Sequence, residues 1–323
     1  MLLLICSSLH AQVTYPVNGI PSEPKNHTAY IHANIQINYN TTIQNGVLLI
    51  RENKIIAAGA DVPIPKDAVI IDLKGAWIYP SFIECFSNYG IKYPEKKSES
   101  GKGPQFLSEK PGAYHWNEAV HPETHASDYF TTDEKKAETL RSMGFGLSLS
   151  QIQDGIMRGT STLVMCGNER ENNMILKPQV SQAWSFLKGS STQDYPSSLM
   201  GSIALIRQTL YDAQWYRQGG FKEETNLSLQ ALNESLILPI IFEGTDEQDV
   251  LRAKKIADEF KLNMIIKGNG AEYQIARDLQ AAQAVVIIPV NFPPPYDVSN
   301  GVAAEYIPLV NLKHWELAPF NGR

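Results

Sequence analysis

Leu236-Ile-Leu-Pro-Ile-Ile-Phe begins the stretch that decides the fold. It is followed by a helical pattern from Glu247 to Phe260 and then by a second apolar run, Asn263-Met-Ile-Ile-Lys-Gly. A second helical pattern, Glu272 to Ala282, leads into Ala284-Val-Val-Ile-Ile-Pro-Val. The three short runs are apolar throughout, which is typical of parallel strands buried on both faces. The stretch therefore predicts a βαβαβ unit with right-handed crossovers, which occurs both in (β/α)8 barrels and in doubly wound sheets.

Motifs and charge disfavour several classes of function. No Gly-x-Gly-x-x-Gly motif follows these strands, and Lys267-Gly-Asn-Gly-Ala-Glu is only a fragment of one, so dinucleotide binding is disfavoured. The formal net charge is −6, from 28 basic and 34 acidic side chains, whereas a nucleic-acid-binding domain normally carries a basic excess. No apolar run reaches the roughly 18 residues of a membrane-spanning helix, so none is predicted.

Upstream of this stretch, the composition and periodicity of the sequence change near Pro80. From Thr28 to about Ile78 short alternating runs follow one another without helical periodicity, which predicts a small antiparallel sandwich or barrel. We therefore predict a β-sandwich segment over 12–78 and a barrel segment over 79–323. Residues from about 88 to 132 are rich in Gly, Pro, Ser, Lys and Glu, which predicts a long loop.

The first residues have the character of a secretory signal. Met1 to Ser8 is mostly apolar, and the small residue Ala11 stands where a signal peptidase would cleave. We predict a signal peptide over 1–11 and export to the periplasm or cell envelope. Cys85 and Cys166, which would remain, have no disulfide-framework spacing.

Three stretches carry a resemblance to a known family. Asn45 to Gly59 looks like its N-terminal hairpin, Asp72 to Glu84 looks like the entry into its first barrel strand, and Pro239 to Pro289 looks like its middle βα units. The chain thus resembles the amidohydrolase superfamily, in its imidazolonepropionase-like branch. The resemblance implies a (β/α)8 barrel, a β-sandwich built from segments on both sides of it, zinc or another divalent metal, and hydrolysis of non-peptide C–N bonds.

The metal-ligand positions that the resemblance implies have lost histidine. Where the family's first strand ends in Asp-x-His-x-His, this chain reads Glu84-Cys-Phe-Ser-Asn, with Phe86 and Asn88 at the histidine positions. A phenyl ring has no lone pair for a metal, and an amide oxygen is a poor substitute for imidazole. The middle strand places Glu243, or Phe242, at its ligand position. We predict a degenerate site and no metal or other cofactor in this chain.

Glu84 and Glu243 are the two candidate catalytic residues. Each lies at the carboxyl end of a predicted barrel strand, where barrel enzymes place functional groups, although the turn after Glu243 is equally suited to capping the next helix through Thr245 or Asp246. His121-Pro-Glu-Thr-His125 is superficially like a zinc-protease motif, but Pro122 indicates a loop, so we predict solvated side chains there. His115 is predicted to be an aromatic anchor in a loop rather than a catalyst, and Cys85 a small apolar residue rather than a nucleophile.

Roughly five or six strand patterns follow Pro80, where a complete barrel needs eight. The sequence therefore predicts an incomplete (β/α)8 TIM-like barrel preceded by the N-terminal part of a small β-sandwich. We expect a fragment of a longer protein, with a possible catalytic domain downstream in the same polypeptide. The alternative is a non-catalytic module that binds a small-molecule ligand or packs against another domain, and Phe292-Pro-Pro-Pro-Tyr is a rigid loop suited to either role.

Overall fold

A computed structural model of the chain describes residues 26–52, 54–94 and 103–289, together with Glu305. The predicted signal peptide and the Phe292-Pro-Pro-Pro-Tyr loop lie outside these residues, and export stays a prediction. The chain divides into two compact units, Met1–Pro80 and Ser81–Arg323. None of the helices in the described residues is both long and apolar enough to cross a membrane.

The N-terminal unit contains a five-stranded sheet. Its strands are β1 (Thr28–Asn38), β2 (Thr41–Arg51), β3 (Lys54–Gly59), β4 (Val69–Asp72) and β5 (Trp77–Ile78). The order is β3-β2-β1-β4, with β5 also pairing with β1. The predicted hairpin is confirmed as β2–β3, but the wholly antiparallel prediction is wrong, because β4 and β5 run parallel to β1. Ala33, Ile35 and Leu48 form the core of the unit.

The C-terminal unit contains two sheets. The first has the order β10-β9-β7-β6, and its strands are β6 (Phe82–Ser87), β7 (Phe145–Ser150), β9 (Thr162–Met165) and β10 (Ile175–Lys177). The second has the order β14-β13-β12-β11-β8, and its strands are β8 (Met157–Thr160), β11 (Gln182–Ser185), β12 (Ile240–Glu243), β13 (Met264–Lys267) and β14 (Val285–Ile287). Strands β11 to β14 are parallel, and β8 runs antiparallel at one edge.

Six α-helices accompany these sheets in the described residues. They are α1 (Glu134–Ser142), α2 (Glu171–Met174), α3 (Leu199–Gln218), α4 (Leu227–Ser235), α5 (Glu247–Phe260) and α6 (Ala276–Ala281). The largest core cluster belongs to the second sheet and its helices, with the side chains of Trp184, Phe242 and Ile256 almost fully buried. The structure thus has the mixed α/β character that the sequence predicts.

The predicted βαβαβ unit is confirmed as β12-α5-β13-α6-β14. Helix α5 covers the predicted residues, and Asp246 caps it by accepting a hydrogen bond from the Asp249 N–H at 2.7 Å. The second helix is shorter than predicted, since Glu272–Ile275 forms a 3-10 turn before α6. The Glu272 carboxylate is buried and turns back to accept the N–H groups of Asn269 and Gly270, which holds this turn apart from the helix.

The segment predicted as a long loop has little regular structure in its described residues. It contains a 3-10 turn at Ala126–Tyr129 and isolated bridges from Val120 to Met157 and from His125 to Thr160. These bridges lay the segment along β8, so Val120 and Ala126 are buried. The part of the loop around Val120 and Ala126 is therefore packed on the sheet, whereas Phe106 and Leu107 earlier in the loop are exposed.

The loop between β12 and α5 gives a first testable prediction. Asp249 is 2% exposed and accepts hydrogen bonds from the Thr245 N–H at 3.1 Å, from the Thr245 hydroxyl at 2.7 Å and from Arg252 at 2.9 Å. Asp249→Ala leaves both Thr245 donors without this partner, while Arg252 keeps its bond to Asp246, so we expect it to lower the free energy of unfolding by about 2 kcal/mol in a urea titration. Asp258→Ala, on the exposed side of the same helix, should change it by less than about 0.5 kcal/mol. Equal effects would contradict this role for Asp249.

Candidate functional site

The candidate site is built at the carboxyl ends of the parallel strands. Glu243 ends β12 and Lys267 ends β13, and the two residues are partners in the register of the sheet. Ser185 ends β11 and is the register partner of Glu243 on the other side. Neighbouring residues in register point to the same face of a sheet, so these three side chains form one row.

Arg158 of β8 reaches this row from the edge of the sheet. Its guanidinium donates to Glu243 Oε2 at 2.7 Å, and its Nε donates to the Gly155 carbonyl at 2.8 Å. Strand β11 lies between β8 and β12, so the arginine side chain spans one whole strand to reach its partner. The site thus has a salt bridge at its centre.

The Arg158 guanidinium is 2% exposed and the Glu243 side chain 21% exposed. Burial lowers the pKa of Arg158, while the neighbouring Glu243 charge and hydrogen bond oppose that shift. A guanidinium remains protonated in proteins, so the buried cation requires the carboxylate beside it. Glu243 therefore serves as a counter-ion, and helix α5 has its own cap in Asp246.

Lys267 and Phe86 bring the two sheets of the unit together at this site. The Lys267 ammonium lies 5.0 Å from the centre of the Phe86 ring, which is a cation–π distance. Phe86 belongs to β6 of the first sheet and Lys267 to β13 of the second. The ends of β6 and β13 therefore face one another, and a phenyl ring and an ammonium group meet there.

These side chains do not fit a divalent metal ion. Phe86 offers no lone pair, Asn88 is exposed, and the Glu243 carboxylate is already engaged by Arg158. The two cations, Arg158 and Lys267, would repel a metal at this position. Across the described residues, no three or more His, Cys, Asp or Glu side chains are grouped so that they would hold a metal ion.

Glu84, the other candidate catalytic residue, bonds within its own strand. Its Oε1 accepts a hydrogen bond from the Phe86 N–H at 3.1 Å. The neighbouring Cys85 is exposed, and its thiol pKa is raised, chiefly by partial desolvation and then by the Glu84 charge. A raised pKa leaves the thiol protonated at neutral pH, which makes Cys85 a poor nucleophile.

The structure corrects the prediction for His121, which is 6% exposed and therefore not a solvated loop residue. His115 is 4% exposed, as a residue that anchors a loop would be. His115 Nδ1 accepts the Asn117 N–H at 3.1 Å, and its Nε2 lies 3.3 Å from the Thr209 hydroxyl on α3. His115 therefore joins the covering segment to a helix of the core.

His121 and His125 do not converge on a common point. His121 Nε2 lies 3.1 Å from the Asp154 carbonyl, which can only accept, so this nitrogen carries the proton. His125 Nδ1 lies 2.8 Å from the Thr160 hydroxyl on β8. Each ring thus has its own partner, and the spacing that resembles a zinc motif gives two separate structural contacts.

Sequence reasoning missed the buried amide of Gln151, which follows β7. Gln151 is fully buried, and neither its side-chain oxygen nor its side-chain nitrogen has a hydrogen-bond partner in the described residues. Its backbone N–H donates to the Ser87 carbonyl at 2.9 Å, which places Gln151 beside the end of β6. The only signal in the sequence is the alternating run Gly146-Leu-Ser-Leu-Ser directly before it.

Solved structures that resemble this chain include an amidohydrolase from Thermotoga maritima MSB8, with a TM-score of 0.62 and 21% identity over 81% of this chain and 70% of that chain. This likeness shows a TIM-barrel-related fold and confirms the predicted α/β class. A prolidase in complex with N-methylphosphonate-L-proline aligns over 92% of this chain and 74% of its own, at 11% identity and a TM-score of only 0.39. No protein-family model and no curated protein matches the chain.

The salt bridge gives a second prediction. Glu243→Gln keeps the size of the side chain but leaves the buried Arg158 cation without an anion, so we expect the free energy of unfolding to fall by about 3 kcal/mol. The matched control is Glu259→Gln, which removes the carboxylate of the half-exposed Arg207–Glu259 pair and should lower it by less than about 1 kcal/mol. Urea unfolding measures both free energies. Similar decreases in the two variants would contradict the role of Glu243 as the counter-ion of Arg158.

The buried imidazole of His115 gives a third prediction. Burial lowers its pKa below the ordinary value of 6.5, and a hydrogen bond from the protonated ring to the Asn117 backbone carbonyl opposes this. Below the ordinary pKa the imidazole binds a proton in the unfolded chain but not in the folded chain, so the free energy of unfolding falls as the pH falls. We measure the free energy of unfolding by urea titration at about pH 7.5 and about pH 5. Between these two pH values it should fall less in His115→Gln than in the wild type. The control is His32→Gln, at an exposed histidine, in which the free energy of unfolding should fall as much as in the wild type. An equally large fall in His115→Gln would contradict the role of the buried His115 imidazole.

Proposed function

We propose that this chain is an amidohydrolase-like barrel module that has lost the metal site and acts by binding rather than by metal-dependent hydrolysis. The observation that carries this proposal is the Arg158–Glu243 salt bridge at the carboxyl ends of the strands. At this position the resemblance expects a metal ligand, and the structure has a carboxylate neutralised by a buried guanidinium. The Thermotoga amidohydrolase supports the fold of this proposal and nothing further.

Two further features support the proposal. Phe86 stands at a histidine position, and its ring face is engaged by the Lys267 ammonium. Lys267 itself lies at the end of the strand next to Glu243, so cationic side chains lie on both sides of that carboxylate. A fixed positive charge stabilises an anionic group without a metal ion, whereas it opposes the binding of a second cation. The site therefore suits a metal-independent module of the kind we propose.

A metal assay on the full chain tests this proposal. After expression with added zinc and manganese followed by dialysis, we expect elemental analysis to find far less than one metal ion per chain. A chelator should leave the melting temperature unchanged, because no folding energy depends on a metal. One tightly held equivalent of zinc or manganese, together with a lower melting temperature after chelation, would overturn the proposal.

A further inference from the structure

One side of helix α3 carries a row of exposed apolar side chains. Met200 is 81% exposed, Tyr211 52% and Trp215 42%, and Ala204 is exposed as well. These four residues, which we call the α3 row, are separated by four, seven and four positions. An α-helix has 3.6 residues per turn, so this spacing places them along one side of the helix. The other side, which includes Leu210, is buried in the core of the C-terminal unit.

Both aromatic side chains of the α3 row are held in position by their own chain. A Cβ at Gly220 would lie 2.7 Å from the Trp215 indole, so one face of that ring lies directly against the Gly220 backbone. The Tyr211 ring meets the Phe260 ring of α5 edge to face, with ring centres 5.0 Å apart. The Tyr211 hydroxyl also donates to Glu259 Oε1 at 3.4 Å. Rings fixed in this way lose little conformational entropy when a partner covers them.

The composition and surroundings of the α3 row are typical of a protein–protein contact. Trp, Tyr and Met are enriched in the buried centres of such interfaces, and Trp and Tyr are frequent among the residues that contribute most to binding. Two polar residues beside the row are paired within the chain. Arg207 Nε donates to Glu259 at 2.7 Å, and the Gln208 amide donates to Asp212 at 2.7 Å. A partner that covers the row therefore leaves Arg207 with Glu259 as its counter-ion.

The spacing of the α3 row is symmetric about its own midpoint. Two α3 helices that pack antiparallel about a two-fold axis through this midpoint therefore bring the row into contact with itself. Met200 then meets Trp215 of the partner subunit, and a thioether beside an aromatic ring is a favourable contact. Ala204 meets Tyr211 of the partner subunit, so a small side chain faces a large one. A shift by one helical turn would leave Met200 or Trp215 without a partner from the row.

We propose that the chain forms a homodimer through the α3 row, with the two α3 helices antiparallel about a two-fold axis. The symmetric spacing favours a second copy over an unrelated helix, because only a self-complementary contact requires the same spacing in both directions. The inference goes beyond the proposed loss of the metal site and does not rest on it, since Arg158 and Glu243 are not part of the row.

Sedimentation equilibrium of the full chain tests the dimer. Trp215→Lys and Met200→Lys each place two charges in the interface, one from each copy, and should raise the dimer Kd by at least about 30-fold. The control is Tyr39→Lys, at an aromatic residue of the N-terminal unit that is 96% exposed, and it should dimerise as the wild type does. Because Met200 is largely exposed, Met200→Lys keeps the test valid if Trp215→Lys fails to fold. A wild-type chain that is monomeric at about 100 μM, or a dimer that neither substitution weakens, would overturn the proposal.

A cross-link tests the antiparallel arrangement. Gln208 lies beside the midpoint of the row, and helix axes about 8–10 Å apart bring its two copies to a Cα separation of about 7 Å or less, close to what a disulfide spans. In a chain with Cys6 and Cys85 replaced by Ser, diamide should therefore convert Gln208→Cys into a covalent dimer on a non-reducing gel. Gln218→Cys, also exposed on α3, would lie about 30 Å from its counterpart and should not cross-link. Cross-linking of Gln218→Cys, or none of Gln208→Cys, would contradict the antiparallel pairing.

Discussion

The burial of the Arg158 guanidinium is the constraint on which the centre of the C-terminal unit depends. A buried cation is strongly unfavourable unless an anion and further hydrogen bonds compensate it, and here Glu243 and the Gly155 carbonyl do so. The pair connects the antiparallel edge strand β8 with β12, two strands away. Strand β11, which ends at Ser185, lies between them.

The same constraint underlies the proposed loss of the metal site. A metal centre of the expected kind needs neutral imidazoles and free carboxylates that converge on one point. This chain places two cations at the strand ends, and the single carboxylate in the row is paired with one of them. The Lys267 ammonium lies over the Phe86 ring, so a position at which the resemblance expects histidine contributes to packing between two sheets.

Local patterns in the sequence predicted the elements well, and long-range pairings decided the rest. Helix α5 and strands β12 and β13 were predicted because hydrophobic periodicity and caps act within a few residues. The parallel pairing of β4 with β1 has no local signal, and neither has the salt bridge between residues 85 positions apart. His121 was misjudged because a polar loop composition predicts solvent exposure, whereas its ring is buried against the Asp154 carbonyl.

The backbone at Gly155 links the salt bridge to the neighbouring turn. Its carbonyl accepts the Arg158 Nε, while a Cβ on Gly155 would lie 2.5 Å from His121 Nε2, so a larger residue does not fit there. Arg158 thus anchors the turn that carries Asp154, whose carboxylate accepts the Ser190 hydroxyl at 2.6 Å. A substitution that frees the Arg158 side chain would therefore loosen the contact between Asp154 and Ser190, because the buried arginine that is paired with Glu243 also orders this turn.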